Sequence, residues 1–141
     1  MEFNPDKVRK ITSEMLVAIQ RIEDLKRLTP KEFIADPHKV GSAKYNLIVI
    51  IEGAVDLCNH IIAKNKLRSP EDYADTFRVM EEKGFFDPEF ANSLMQMARF
   101  RNRLVHLYWD IDDTEIHRII ETRLQDITRF LKELGTLLKI S

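Results

Sequence analysis

Apolar residues recur at steps of three and four over most of the chain, which is the spacing of amphipathic helices. The third apolar segment contains an unbroken run, Leu47 to Ile51, that a buried strand could also show. Helical spacing continues beyond it at Ala54, Leu57 and Ile61, and strands are rarely that long, so this segment is also predicted to be helical. The predicted helices run from Asn4 to about Leu28, from Thr29 to Asp36, from about Val40 to Leu67, from Ser69 to Lys83, from Asp87 to about His106 and from Asp112 to about Lys139.

Residues that cap helices stand at most of these boundaries. Asn4-Pro5 places a cap residue before a first-turn proline. Thr29 is followed three positions later by Glu32, the pattern of a capping box, and Gly84 stands where the fourth helix is expected to end. Four long helices with short connections predict an all-α protein. We expect an up-and-down, antiparallel four-helix bundle with one or two short extra helices, formed by residues 1–141 as a single domain.

The third helix has a wider apolar surface than one face of a bundle requires. One stripe comprises positions 47, 50, 54, 57 and 61, and an adjoining stripe comprises positions 48, 51, 55, 58 and 62. A helix with so wide an apolar arc is either buried inside its own chain or shared between the core and a partner subunit. We expect the second arrangement, a homodimer, and keep burial within one chain as the alternative.

Composition narrows the classes of protein to consider. Of the 141 residues, 44% are hydrophobic and 32% are charged, as in ordinary globular domains, and the net charge of −1 means that any contact with nucleic acid must come from a local patch. A single cysteine, Cys58, and a start without the features of a signal peptide predict a cytoplasmic protein with no membrane segment. His38, His60 and His117 have no metal-ligand spacing with one another or with Cys58, so neither a metal nor a cofactor is expected.

The segment from Met97 to Tyr108 carries the residues best suited to chemistry. Apolar residues at positions 90, 94, 97, 104 and 108 follow one helical stripe, and Arg101 occupies the step between 97 and 104. A guanidinium among core positions is costly to desolvate unless a carboxylate or an anionic ligand meets it. Asn102 and His106 are four residues apart and share a neighbouring face. Arg101 and His106 are about 140° and about 7.5 Å apart on an ideal helix, so both can border a cleft that holds a phosphodiester.

These side chains are suited to the cleavage of RNA by transphosphorylation. The reaction removes a proton from the ribose 2′-OH, stabilises charge on the phosphorane and protonates the leaving 5′-oxygen. Histidine can act as general base or acid near neutral pH, and arginine donates paired hydrogen bonds to phosphoryl oxygens. Asparagine can hold a phosphate oxygen, the 2′-OH or the imidazole. The scheme needs no metal ion, and the 2′-OH distinguishes RNA from DNA.

The pattern Arg101-x-x-x-x-His106-x-Tyr108, with the polar Asn102 directly after the arginine, resembles the diagnostic motif of the HepT branch of the HEPN superfamily. The layout of the chain is similar as well: several helices precede the motif, one of them the wide apolar helix with Glu52 and Asp56, the motif lies near the end of the penultimate helix, and one closing helix follows. The resemblance covers nearly the whole chain.

This resemblance implies an endoribonuclease toxin that is restrained by a nucleotidyltransferase antitoxin. It implies that Arg101 and His106 form the catalytic pair, that Asn102 supports them, and that two copies face each other across a cleft that forms the composite RNA site. It also implies that the antitoxin modifies Tyr108 with AMP. A bulky anionic nucleotide two residues from His106 would fill the cleft and repel the substrate phosphate.

Simpler roles remain open for several of these residues. Arg101 can form an ion pair with Glu52 or Asp56 on the apolar helix, and the sequence does not decide between the two acids. Such a pair is compatible with catalysis, since an acid can orient a catalytic arginine. Arg99 and Arg103 flank the motif and either follow the RNA backbone or are simply solvated. The alternative function is a non-catalytic helical module that binds a nucleotide or a nucleotidyltransferase without cleaving RNA, which the near-neutral charge would fit.

Overall fold

The computed structural model describes residues 1–140, and this part of the chain forms seven α-helices and no strand. The prediction of an all-α fold is confirmed. Four long elements form the bundle: α1, α3, α5 and the segment made of α6 followed by α7. The short helix α2 lies between α1 and α3 in the chain, and α4 lies between α3 and α5. The helices are α1 (Pro5–Lys26), α2 (Pro30–Ile34), α3 (Pro37–Lys64), α4 (Tyr73–Glu82), α5 (Pro88–His106), α6 (Asp113–Thr122) and α7 (Leu124–Leu137).

Helix α3 lies at the centre of the bundle and contacts each of the other six helices. Its two apolar stripes are buried within the chain, apart from the half-buried Ile48. Burial within one chain therefore explains the wide apolar arc, and the arc no longer supports a dimer by itself. The homodimer stays a prediction. By length and composition α3 could also cross a membrane, but 67% of its most apolar window is buried inside the bundle, as in the core helix of a globular domain.

The caps predicted from the sequence form as expected. The Asn4 side chain accepts hydrogen bonds from two backbone N–H groups of the first turn of α1. Thr29 and Glu32 form both bonds of the capping box at the start of α2. Gly84 follows α4 with a φ of +78°, a conformation that glycine adopts without steric penalty. Asp36 caps α3, which begins at Pro37, three residues before the predicted start.

Helix α4 begins later than the sequence suggests, at Tyr73 rather than near Ser69. Its N-cap is Asp72, whose carboxylate accepts from the backbone N–H of Asp75 at 2.7 Å. The preceding residues are held as a loop because the Arg68 guanidinium pairs with Asp75 and with Glu82. These ion pairs join the loop to α4 and accompany its later start.

The closing helix is not continuous, so the prediction of one helix from Asp112 to Lys139 is wrong at Arg123. This residue separates α6 from α7 with φ −112° and ψ −8°. The backbone tightens there, because the N–H of Asp126 bonds to the carbonyl of Arg123 three residues earlier. The Arg123 guanidinium reaches across to α5 and donates to the Ser93 carbonyl at 2.9 Å. A contact with a neighbouring helix thus coincides with the interruption.

Candidate active site

Arg101 projects from α5 into a polar gap in an otherwise apolar stripe. Its side chain is 17% exposed and lies between the buried residues Met97 and Leu104. The guanidinium donates to Glu52 Oε1 of α3 through Nε, at 3.0 Å, and through Nη2. It donates to Asn102 Oδ1 through Nη1 at 3.1 Å. Arg101 is therefore met by a carboxylate, as the desolvation argument requires.

A tyrosine from α4 holds the guanidinium as well. The Arg101 Cζ atom lies 4.7 Å from the centroid of the half-buried Tyr73 ring, in cation–π contact. Of the five N–H donors of a guanidinium, the bonds to Glu52 and Asn102 use three and leave two. A group fixed on three sides with two free donors can bind a phosphoryl group without a large loss of side-chain entropy.

The structure decides between the two acids that the sequence left open. Glu52 is the partner of Arg101, whereas Asp56 is exposed and makes no salt bridge within residues 1–140. Partial desolvation and the neighbouring charge of Glu52 raise the pKa of Asp56. We call the contacts of Arg101 with Glu52, Asn102 and the Tyr73 ring the clamp. Asp56 contributes nothing to this clamp, and its own negative charge is disfavoured at its position.

His106 is the last residue of α5 and is exposed. Its imidazole makes no hydrogen bond or salt bridge with residues 1–140, so both ring nitrogens are available to a ligand. Because α5 is continuous from Pro88 to His106, the five-residue offset from Arg101 is helical, as predicted.

Asn102 connects the clamp to a shallow cleft between α4 and α5. Its amide oxygen accepts a hydrogen bond from Arg101, a contact that differs from the three considered from the sequence, namely a phosphate oxygen, the 2′-OH and the imidazole. Asn102 also lines a cleft of about 200 Å³ together with two arginines, Arg78 and Arg99, and three acids, Glu71, Asp72 and Asp75, whereas Arg101 and His106 do not line it. The two residues of the predicted catalytic pair therefore do not share this cleft in a single chain.

The two arginines that flank the motif differ in their surroundings. Arg103 forms a paired ion bridge with Glu115 of α6, with both N–O distances at 3.0 Å. The bridge raises the pKa of Arg103 and lowers that of Glu115. Arg99 is exposed and, like Arg78, makes no salt bridge within residues 1–140. Arg99 is thus the flanking arginine whose charge is free for a phosphate.

Tyr108 lies just beyond the end of α5, and the buried Lys44 of α3 holds it. Lys44 Nζ donates to the Tyr108 carbonyl at 2.7 Å and lies 4.6 Å from the centroid of its ring. Trp109 packs edge-on against the same ring, with the centroids 5.0 Å apart. The sequence reasoning did not include Lys44 or Tyr73. Lys44 could have been found, because it interrupts an apolar stripe between Val40 and Leu47.

Two of the three histidines away from the motif have structural contacts. His60 accepts a hydrogen bond from the backbone N–H of Asn4 at 2.8 Å. His117 lies 3.3 Å from the Leu28 carbonyl and packs against the Phe33 ring. Within residues 1–140, no group of three or more His, Cys, Asp or Glu side chains is placed to hold a metal ion.

An all-α domain that presents a clamped guanidinium and a free imidazole from one helix defines a class of site suited to phosphate chemistry. The sequence profile of the family described as Ribonuclease HepT-like matches residues 15–134. The chain belongs to this HepT-like ribonuclease family, which confirms the predicted resemblance.

Two named nucleases are similar to the chain in sequence, and a solved structure is similar to it in fold. The chain is 32% identical over 95 residues to the tRNA nuclease HepT of Aphanizomenon flos-aquae, covering 65% of this chain and 63% of that protein. It is 24% identical over 86 residues to the mRNA nuclease HepT of Shewanella oneidensis, covering 61% and 65%. The alignments thus span just under two thirds of each relative. The fold matches the tri-AMPylated HEPN toxin of Shewanella oneidensis, solved in complex with an MNT antitoxin, with a TM-score of 0.85 and 21% identity over 93% of this chain and 98% of that chain.

Proposed function

We propose that the protein is a metal-independent endoribonuclease and the toxin of a cytoplasmic toxin–antitoxin pair. The observation that carries the proposal is the combination on α5 of Arg101, clamped by Glu52 and Asn102 with two donors free, and the exposed imidazole of His106. Membership of a ribonuclease family supports the choice of RNA as substrate.

The reaction assigns one task to each group. The O2′ oxygen of the ribose forms a bond to the adjacent phosphorus, the bond from phosphorus to O5′ breaks, and a 2′,3′-cyclic phosphate and a 5′-hydroxyl result. One imidazole takes the 2′-OH proton, and a second imidazole gives a proton to O5′. The free donors of Arg101 stabilise the phosphorane oxygens as charge accumulates on them.

A homodimer supplies the second imidazole. His106 is flanked by Val105 and Leu107, which are 40% and 48% exposed. Large apolar side chains exposed at one end of a helix favour burial against a second copy. In the proposed dimer, His106 and the partner subunit's His106 face one substrate phosphate.

A nucleotidyltransferase antitoxin is the proposed partner, and Tyr108 is the residue that it modifies with AMP. The Shewanella oneidensis toxin of similar fold is described as tri-AMPylated and bound to an MNT antitoxin, which supports this part of the proposal. Adenylylation places a negative charge two residues from His106 and repels the substrate phosphate. Intact-mass analysis after co-expression should show AMP increments, at least one of which is lost in Tyr108→Phe.

Cleavage of an RNA oligonucleotide in EDTA by the unmodified protein tests the activity. His106→Ala should lower the rate by roughly 10²–10⁴-fold, the usual contribution of general acid–base catalysis. His38→Ala is the matched control, because His38 is also exposed but lies in the first turn of α3. Equal cleavage by the His106 variant refutes the assignment. Nucleotide binding without any RNA turnover favours the non-catalytic module.

A further inference from the structure

Lys44 is a buried cation without a carboxylate partner. Its relative exposure is 5%, and no aspartate or glutamate within residues 1–140 forms a salt bridge with its Nζ. Its acceptor in this part of the chain is the Tyr108 carbonyl, so two of the three ammonium N–H donors have no acceptor there. A buried charge is costly unless a second charge or a ligand compensates it.

A groove of about 360 Å³ opens beside this ammonium group. It is lined by Tyr108, Trp109 and Asp113, by Ile34 of α2, and by Pro37, Val40, Gly41 and Lys44 of α3. Trp109 is 88% exposed, so nearly all of its indole is free for contact with a ligand. An exposed indole is a flat surface on which a nucleobase can stack. The half-buried Asp113 supplies a carboxylate that can accept a hydrogen bond from the exocyclic amino group of a base.

We propose that this groove is a nucleotide subsite in which Lys44 binds a phosphate and Trp109 stacks on the attached base. The Lys44 ammonium contacts the Tyr108 carbonyl and the face of the Tyr108 ring, but no anion within residues 1–140 compensates its charge, and the exposed indole beside it offers a stacking surface for an aromatic ring. A nucleotide carries both an anionic phosphate and an aromatic base. The volume of the groove lies in the range of small-ligand sites, so it accommodates a single nucleotide and not a long strand.

The nucleotide has two possible sources, and this inference rests on the proposed function for both of them. Tyr108 forms part of the wall, so an adenylyl group attached to its phenol has its phosphate and base beside the groove. Alternatively, a nucleotide of the RNA substrate next to the scissile position enters the groove. In the first case Lys44 and Trp109 help to silence the enzyme, and in the second they help to position its substrate.

Trp109 is the only tryptophan of the chain, so its fluorescence reports directly on the groove. Titration of the unmodified protein with AMP should quench the emission saturably. Lys44→Met keeps the aliphatic stem, removes the charge and should weaken AMP binding at least about tenfold, the effect of losing one charge-assisted hydrogen bond. Lys39→Met is the matched control on the same helix, because Lys39 is more exposed and pairs with Asp36, and it should bind AMP like the wild type.

Adenosine provides a second test that needs no variant. Since it lacks the phosphate, it should bind the wild-type protein at least about tenfold more weakly than AMP does, and Lys44→Met should bind both ligands alike. Circular dichroism checks that the variant remains helical. The proposal is overturned if AMP leaves the emission unchanged, if AMP and adenosine bind the wild type equally, or if folded Lys44→Met binds AMP as tightly as the wild type.

Two further samples identify the source of the nucleotide. If protein adenylylated on Tyr108 has quenched emission and no longer responds to added AMP, the groove receives the attached AMP. If a short RNA quenches the emission of the His106→Ala variant, the groove is a subsite for substrate. A lysine-dependent response to AMP in a protein that never cleaves RNA supports the subsite and refutes the proposed nuclease. RNA cleavage by a protein whose emission does not respond to AMP supports the proposed nuclease and refutes the subsite.

Discussion

Replacing Glu52 with alanine tests whether the clamp on Arg101 matters for both stability and activity. The substitution removes the acceptor of two guanidinium N–H groups and leaves a half-buried cation whose remaining partners within residues 1–140 are Asn102 and the Tyr73 ring. Since the Glu52 side chain is 37% exposed, water screens part of the charge that is lost. Hydrogen bonds to charged groups contribute roughly 1.5–3 kcal/mol, so after this discount we expect a loss of about 1–2 kcal/mol in the free energy of unfolding.

The size of the effect should depend on what replaces the carboxylate. Both Arg101 donors bond to one oxygen, Oε1 of Glu52, and glutamine keeps an oxygen at that position. Glu52→Gln should therefore lose roughly half as much stability as Glu52→Ala, because it removes the charge and retains the acceptor. In a chain of 141 residues, a loss of 1–2 kcal/mol lowers the Tm by about 3–6 °C.

Thermal unfolding and RNA cleavage well below the Tm measure the two consequences. We expect Glu52→Ala to cleave RNA at least about tenfold more slowly, because its Arg101 is no longer held for the phosphate, and Glu52→Gln to retain more activity. Asp56→Asn is the control one turn away. Its pKa is raised in the folded protein, so its charge opposes folding at neutral pH, and the variant should be as stable as the wild type or slightly more stable. An unchanged Tm and rate in Glu52→Ala, or a larger loss in Asp56→Asn, would refute this reasoning.

Three further predictions concern other parts of the chain. Burial and two nearby lysines lower the pKa of His60, which accepts a hydrogen bond from the Asn4 N–H. The unfolded state therefore binds more protons than the folded state, so the free energy of unfolding should fall as the pH drops from about 6.5 through the lower folded pKa. Urea unfolding across this pH range should show a less steep fall in His60→Gln. Gly53→Ala places a methyl group 2.5 Å from a methionine side chain of α1 and should lower the unfolding free energy by about 1–2 kcal/mol, measured by urea denaturation; an unchanged midpoint would contradict the close approach. Arg99→Gln should reduce the slope of log binding constant against log salt concentration for RNA by about 0.7. Arg21→Gln on α1 is the control, because Arg21 also makes no salt bridge within residues 1–140, and it should leave this slope unchanged.

The sequence predicted the fold well where local signals and burial agree. The capping box at Thr29 and the terminating Gly84 are local features, and both occur as expected. The break at Arg123 could not be predicted, because the apolar stripe passes through it without a change of phase. The start of α4 was misplaced for a related reason, since the ion pairs that hold the preceding loop join Arg68 to residues 7 and 14 positions away.

The candidate site was predictable only as far as one helix determines it. Arg101 stood out as a charge at a core position, and its need for a carboxylate followed, but the choice of Glu52 depends on how α3 and α5 pack. The stacking of Tyr73 on the guanidinium depends on α4 in the same way. Lys44, like Arg101, is a charged residue at a core position of its helix, but the flexible stem of a lysine usually carries the ammonium group to solvent. Only the fold shows that this one ends against Tyr108.

The chemical structure of the RNA ends tests the central claim most directly. An RNA oligonucleotide is incubated with the unmodified protein in EDTA, beside the same oligonucleotide with a 2′-deoxy nucleotide at the cleaved position, and the products are analysed by mass spectrometry. The account predicts a 2′,3′-cyclic phosphate and a 5′-hydroxyl from the first substrate and no cleavage at the modified position in the second. Products with 5′-phosphate ends, or equal cleavage of the deoxy substrate, would contradict the 2′-OH mechanism built on Arg101 and His106.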